Sequence, residues 1–178
     1  MKLKYFIYLL LFSQLCVFSQ ELPPIEVFKP KDYAAEDQNW AVSQGNDKSI
    51  YFANNKGLLS YNGSRWKLYK SSNSSIFRSV KVIGDKIYTG SYMDFGFWKK
   101  NKYGILKYTS ISSNEEISLA EDEEFWNILE LDRWILFQSL DRIYIFLQKQ
   151  NLLISLNQRL QLLKYIRYKK RFTIKNLI

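Results

Sequence analysis

One strand–turn–strand pattern recurs along this chain, and it limits the possible folds more than any other feature. In its first pass, Trp40-Ala41-Val42 is followed by a polar turn over 44–48 and by the β-rich Ser49-Ile50-Tyr51-Phe52. A second turn, Asn54-Asn55-Lys56-Gly57, places a glycine where a positive φ is cheap. Leu58-Leu59-Ser60-Tyr61 and the hairpin dipeptide Asn62-Gly63 come next. Arg65-Trp66-Lys67-Leu68-Tyr69 then alternates polar and aromatic residues, as a half-buried strand does. The order returns in Val80-Lys81-Val82, Ile87-Tyr88-Thr89-Gly90, Gly96-Phe97-Trp98 and Ile105-Leu106-Lys107-Tyr108. It returns in part at 125–129, Trp134-Ile135-Leu136-Phe137 and Ile143-Tyr144-Ile145-Phe146. Ile50, Ile87 and Ile135 hold corresponding places, 37 and 48 residues apart. That is the period of a four-stranded unit, typical of β-propeller blades. A small antiparallel sheet with two apolar faces cannot bury both alone, and stacking blade on blade buries them. The expected fold is all-β: an incomplete propeller of about three four-stranded blades over residues 39–146.

Composition then removes several chemistries. Among 178 residues there is no histidine and one cysteine, Cys16. No Ser-His-Asp or Cys-His pair can form, nor a histidine-bearing zinc site, nor a disulfide within one chain. The seven glycines lie singly between positions 45 and 104, so no phosphate-cradling loop is present. An enzyme would have to rely on paired carboxylates, as glycosidases do. The expectation is a non-catalytic protein with no cofactor and no metal. The acidic stretch Glu115-Glu116…Glu121-Asp122-Glu123-Glu124 offers oxygen ligands of the kind calcium takes, without the Asp/Asn/Gly spacing of a calcium loop, and reads as a solvated loop.

The formal charge of +9 belongs to the ends. Residues 147–178 hold eight basic side chains and no acidic one, and the first 19 hold Lys2 and Lys4. Residues 20–146 carry 16 basic and 17 acidic side chains, so the body is neutral and gives no footprint for nucleic acid. At the front, Lys2 and Lys4 precede the apolar run 5–12, and Val17 and Ser19 fit the −3 and −1 positions of a signal-peptidase site. Residues 1–19 are therefore expected to be a signal peptide cleaved between Ser19 and Gln20, the alternative being an uncleaved anchor. An exported chain without disulfides suits a bacterial envelope or periplasm. Residues 20–38 contain all three prolines and read as an extended lead-in.

The segment from Val42 to Gly63 resembles the two-component regulator propeller repeat: strand, polar turn, aromatic-bearing strand, small-residue turn, Gly-Leu, then an aromatic before Asn-Gly. The lead-in 33–40, Tyr-Ala-Ala-Glu-Asp-Gln-Asn-Trp, is similar to the entry of the first blade in Bacteroidetes and Flavobacteria members. The resemblance covers about residues 25–146. In the second unit Tyr92-Met93-Asp94-Phe95 replaces the usual small polar turn. The resemblance implies an exported propeller that senses a carbohydrate or other environmental cue, within a regulator that also carries a Y_Y_Y β-sandwich, a membrane helix and an output domain. It carries over no catalytic residue. Such a chain would be the sensor region, truncated before its output domain. The alternative is a stand-alone carbohydrate-binding module using exposed aromatics, with Trp66, Tyr92, Phe95 and Trp98 as the candidate ligand-binding residues. An open array of blades would also leave faces available for self-association.

After Phe146 turn residues vanish, and Leu153, Leu156, Leu160 and Leu163 fall at helical spacing. Residues 147–178 read as a basic tail, helical or irregular. Two accounts fit: an amphipathic helix on a membrane or partner, or translation in a shifted frame. Apart from the signal segment, this tail is the one place where the sequence suggests membrane contact.

Overall fold

The computed structural model describes residues 22–71, 74–113, 118–147 and 152–157. The expected signal segment, its cleavage point at Ser19 and Gln20, and tail residues 158–178 lie outside them.

The chain forms three antiparallel four-stranded sheets, each a simple meander in sequence order. The first holds β1 (Asn39–Gln44), β2 (Ile50–Asn54), β3 (Gly57–Tyr61) and β4 (Trp66–Tyr69). The second holds β5 (Phe77–Ile83), β6 (Lys86–Ser91), β7 (Phe95–Lys100) and β8 (Leu106–Ser110). The third holds β9 (Asn127–Leu131), β10 (Trp134–Gln138), β11 (Arg142–Leu147) and β12 (Leu152–Asn157). The first strands of the sheets, β1, β5 and β9, lie next to one another, so the sheets radiate from a shared inner edge. This is an incomplete β-propeller of three blades.

The repeat follows from alternation along each strand. Ile87 and Ile135 both point back toward the preceding blade, and Ile50 shares its face with Phe52, which also points back. Between blades one and two the core is Tyr51, Ala53, Leu58, Val80, Ile87 and Trp98. Between blades two and three it is aromatic: Tyr88, Phe95, Phe125, Phe137 and Tyr144, with Ile128 and Ile135. Phe95 sits 4.4 Å from Phe137 and 4.6 Å from Phe125, ring centre to ring centre. Such clusters add an edge-to-face or offset geometry to plain area burial.

The lead-in has a defined place. Pro30–Tyr33 forms a single helical turn, α1, whose Asp32 carboxylate accepts the Lys29 N–H at 2.7 Å. Phe28, Tyr33 and Ala35 then pack on Phe52, Leu59, Trp66 and Leu68, the face of blade one that has no preceding blade. Only Val42, on the innermost strand, stays 62% exposed there. The Asn62-Gly63 turn forms as expected: Asn62 Oδ1 accepts from Ser64 N at 3.1 Å and Arg65 N at 2.8 Å, and Gly63 takes φ +89°.

One boundary moves. The propeller does not end at Phe146, because Leu152–Asn157 forms β12 and completes the third blade. The spacing of Leu153 and Leu156 fits a helix, but the outer edge of β11 presents unpaired backbone N–H and C=O groups. Pairing along six residues, from Arg142↔Asn157 to Leu147↔Leu152, satisfies them.

Candidate functional site

The inner strands carry a device repeated from blade to blade. In β1 the pairing register shifts between Asn39 and Ala41, and in β5 between Phe77 and Ser79. The residues passed over are Trp40 and Arg78. A bulge leaves one residue out of the ladder and re-aims its side chain. In the third blade the same position of the repeat, just before β9, is Trp126, whose N–H donates to the Gln138 carbonyl at 2.9 Å. These three side chains meet. The Arg78 guanidinium lies 4.3 Å from the Trp40 ring centre and 4.9 Å from that of Trp126. The two indoles meet edge to face at 5.8 Å. Arg78 also donates to Glu124 Oε1 through Nη2 at 3.0 Å and Nε at 3.3 Å.

The surroundings fix this cluster and leave one face of it open. Ser79 Oγ donates to the Phe125 carbonyl at 2.8 Å, and Val82 N–H donates to Ser43 Oγ at 2.9 Å, so both junctions between inner strands are pinned. The Arg78 side chain is 14% exposed, which removes much of the water that would screen its attraction to the rings. Trp40 is held by a bond from its Nε1 to Asn55 Oδ1 at 2.8 Å, yet remains 42% exposed. The Trp126 Nε1 is buried with no hydrogen-bond partner among the described residues.

Glu124 connects the cluster to a cleft of about 300 Å³ lined by Tyr92, Glu121, Asp122, Glu123, Ser139 and Asp141. Tyr92 bridges to Glu124 in β fashion, and its hydroxyl donates to Asp122 Oδ1 at 2.6 Å. The acidic stretch is thus not a uniformly solvated loop. Glu123 is buried, and its carboxylate accepts from Ser139 Oγ at 2.6 Å, Tyr144 OH at 2.6 Å and Ala120 N–H at 3.0 Å. Burial and the bond to Glu123 push the Tyr144 hydroxyl up to about 12. Three donors to one carboxylate make its burial affordable. Among the described residues no group of three or more acidic or cysteine side chains is placed to hold a metal ion.

At the opposite end of the inner strands a larger cleft of about 440 Å³ separates blades one and two. Its rim charges are already matched, Asp47 with Lys100 at 2.6 Å and Asp85 with Lys99 at 2.8 Å. The hydrogen bond from Lys100 holds the Asp47 carboxyl below its usual range. Its aromatic wall, Tyr51, is buried. It offers no open ring face, so the smaller cleft, joined through Glu124 to the Arg78 cluster, is the better candidate.

The four aromatics singled out from sequence do not form one platform. Phe95 is fully buried, and Trp98 is 5% exposed with its Nε1 donating to Thr89 Oγ1 at 3.1 Å. Both belong to the packing between blades, because their strand positions point at a neighbouring sheet. Trp66 is half-buried, stacked on Tyr61 at 4.4 Å and covered by Phe28 and Tyr33 of the lead-in. Tyr92 alone stays open, and it lines the acidic cleft. Trp40, Arg78 and Trp126 were not singled out. Their signal was available: they precede the apolar core of each inner strand at the same point of the repeat.

The fold and this cluster define a propeller segment with an aromatic–arginine group at one end of its inner edge. No protein-family model matches the chain, and no curated protein matches it. Among solved structures, two that match are of the extracellular domain of BT4673 from B. thetaiotaomicron, described in one as a one component system and in the other as a hybrid two component system. Each is 18% identical, with TM-scores of 0.52 and 0.53, and each alignment covers 68% of this chain. The chain spans 16% of the length of those neighbours. The likeness shows a shared fold with the extracellular part of a signalling system, the kind of protein that the first repeat resembles.

Proposed function

We propose that this chain is the non-catalytic sensor region of an exported signal-transduction regulator, held in the periplasm or cell envelope, and that it is one part of a larger propeller protein. The fold likeness to a much longer extracellular domain, of which the match covers 16%, supports this reading. The ligand is a carbohydrate or another small environmental molecule that rests on the open face of Trp40. The carrying observation is the convergence of Trp40, Arg78 and Trp126 from equivalent positions of three blades. A flat ring with a fixed cation behind it and hydrogen-bonding groups at the rim suits a ligand with one apolar face and polar edges.

The test is titration of the purified protein with a panel of glycans and small metabolites, read by tryptophan fluorescence and calorimetry. Saturable binding that disappears in Trp40→Ala, with an unchanged β-sheet circular dichroism spectrum, is the expected result. Binding that survives this substitution would move the site elsewhere. Hydrolysis of a glycan by the purified protein would replace the sensor reading with an enzymatic one.

A further inference from the structure

The near-neutral sum of the body conceals a separation of charge. In each meander the first and third turns fall at one end and the second turn at the other. At the end away from Trp40, residues 44–49, 62–67, 84–86 and 99–107 of blades one and two carry eight basic and two acidic side chains. At the Trp40 end, residues 35–38, 54–57, 70–71, 91–94, 118–126 and 138–142 carry eight acidic and three basic ones. A cleft of about 260 Å³ opens at the basic end, between the outer strands of blades one and two, and shares Tyr51 and Lys100 with the larger cleft described above. Register sets Tyr51, Ser60 and Lys67 in one row across β2, β3 and β4, on the face turned to blade two. Lys67 Nζ lies 4.8 Å from the Tyr69 ring centre, which sets the ammonium against the cleft wall. Arg65 closes the turn in which Asn62 Oδ1 accepts its backbone N–H at 2.8 Å. That bond engages the oxygen of the Asn62 amide and leaves its N–H groups as donors at the rim. Among the described residues no carboxylate lines this cleft, and neither Arg65 nor Lys67 pairs with one, whereas Lys100 is held by Asp47 at 2.6 Å.

We propose that this cleft binds a phosphate or sulfate group, carried by a soluble ester or by a lipid headgroup, as a second site independent of the ligand face at Trp40. A guanidinium offers paired N–H donors to two oxygens of an oxyanion, and an ammonium adds a point charge beside it. A concave surface of one sign focuses its field and raises the local concentration of anions. A volume of about 260 Å³ lies at the small end of ligand sites, which suits one oxyanion and its immediate carrier. Both walls come from consecutive blades of this chain, so further blades elsewhere in a ring would leave the site unaltered.

The experiment titrates the full chain with inorganic phosphate, galactose 6-sulfate and galactose by calorimetry, and with phosphatidylglycerol and phosphatidylcholine vesicles by co-sedimentation, at about 50 and about 300 mM salt. The expected result is saturable binding of the anionic probes alone, weakened severalfold at the higher salt. Arg65→Gln and Lys67→Gln, both at exposed positions, are together expected to weaken it at least tenfold with unchanged circular dichroism. Lys102→Gln, at the same end but outside the cleft, and Trp40→Ala, at the other end, are expected to leave it unchanged. Preference for galactose 6-sulfate over the vesicles places the group on a soluble ligand, and preference for phosphatidylglycerol places it on a lipid; either supports the proposal when the Arg65 and Lys67 variants lose it. No saturable binding of any anionic probe overturns it. So does an equal loss in Lys102→Gln, the mark of a diffuse field, and so does binding indifferent to Arg65 and Lys67, as the basic residues of 158–178 would give.

Discussion

The side-chain amide of Asn54 is bonded to both backbone groups of Glu36: it donates to the carbonyl at 2.7 Å and accepts from the N–H at 3.2 Å. The same amide donates to Gln38 O and Asn39 Oδ1 and accepts from Lys56 N–H. Asn54 is fully buried, so no water replaces these partners. Asn54→Ala is expected to destabilise the fold by about 2–4 kcal/mol, because several part-buried backbone groups of the lead-in and the turn lose a partner at once. Asn54→Asp should be no better, since a carboxylate cannot donate to the Glu36 and Gln38 carbonyls. Urea unfolding of the two variants checks this. A loss below about 1 kcal/mol in both would show that the lead-in is not anchored through this residue.

Gly90 of blade two packs tightly against Phe125 at the entry of blade three. A Cβ there would lie 2.6 Å from Phe125 Cβ and 2.8 Å from the Phe125 carbonyl oxygen. Phe125 is wedged against Phe95 and Tyr144, and backbone oxygens do not swing away. Gly90→Ala is therefore expected to cost about 1–3 kcal/mol through overpacking. Gly84→Ala serves as the comparison: a Cβ there meets nothing within 4 Å, and the cost comes from its φ of +60° alone. Thermal unfolding of both proteins separates the two causes.

How much of this was legible in the sequence depends on which neighbour decides each residue's role. Strands β1 to β11 were readable because alternation and turn chemistry are local: Asn62-Gly63 announces its hairpin whatever surrounds it. The burial of Phe95 and Trp98 was not, because it depends on which of two adjacent sheets each strand face meets. Glu123 looked like one carboxylate among several in a loop. Its distinction comes from Ser139 and Tyr144 in the third blade. Trp40, Arg78 and Trp126 share a place in the repeat but differ in kind, and only the bulges turn them toward one another. The strand β12 was hidden because the apolar run of 152–156 fits a helix or a strand, and the open edge of β11 decides.

The buried Tyr144–Glu123 pair predicts a falling stability at alkaline pH. Burial first, and then the bond to the Glu123 carboxylate, raise the Tyr144 hydroxyl from the usual 10 to about 12 in the folded protein. Below pH 10 the tyrosine is protonated in both states and the pair contributes fully. Between about pH 10 and 12 the unfolded chain releases this proton and the folded chain keeps it, so stability falls as pH rises. The loss from this group is about 3 kcal/mol at most. Tyr88 and Tyr108 are raised too, chiefly by burial, and act in the same direction. Tyr144→Phe should lower stability at neutral pH, by about 1–3 kcal/mol, and flatten the alkaline slope. Chemical denaturation at pH 7, 10 and 11.5 reads both effects, and a variant with an unaltered slope would show that Tyr144 does not carry it.

The Arg78 cluster separates a structural role from a binding one. Arg78→Lys keeps the positive charge and a route to Glu124, but a compact ammonium cannot reach both indoles and Glu124 as the broad guanidinium does. Loss of these contacts is expected to cost about 1–2 kcal/mol of stability. Trp40→Ala removes a ring that is 42% exposed, hydrogen-bonded through Asn55 and in contact with Arg78 on one side, so its stability cost should be smaller, about 1 kcal/mol. Binding should rank the other way. The open face of Trp40 is the surface offered to a ligand, whereas Arg78 stands behind it. Trp40→Ala is expected to abolish ligand binding, and Arg78→Lys to weaken it about tenfold while leaving it measurable. Parallel calorimetric titrations and urea unfolding curves of the two variants test this opposition. If both properties fall together in both variants, the cluster is a packing unit between blades and the ligand face lies elsewhere.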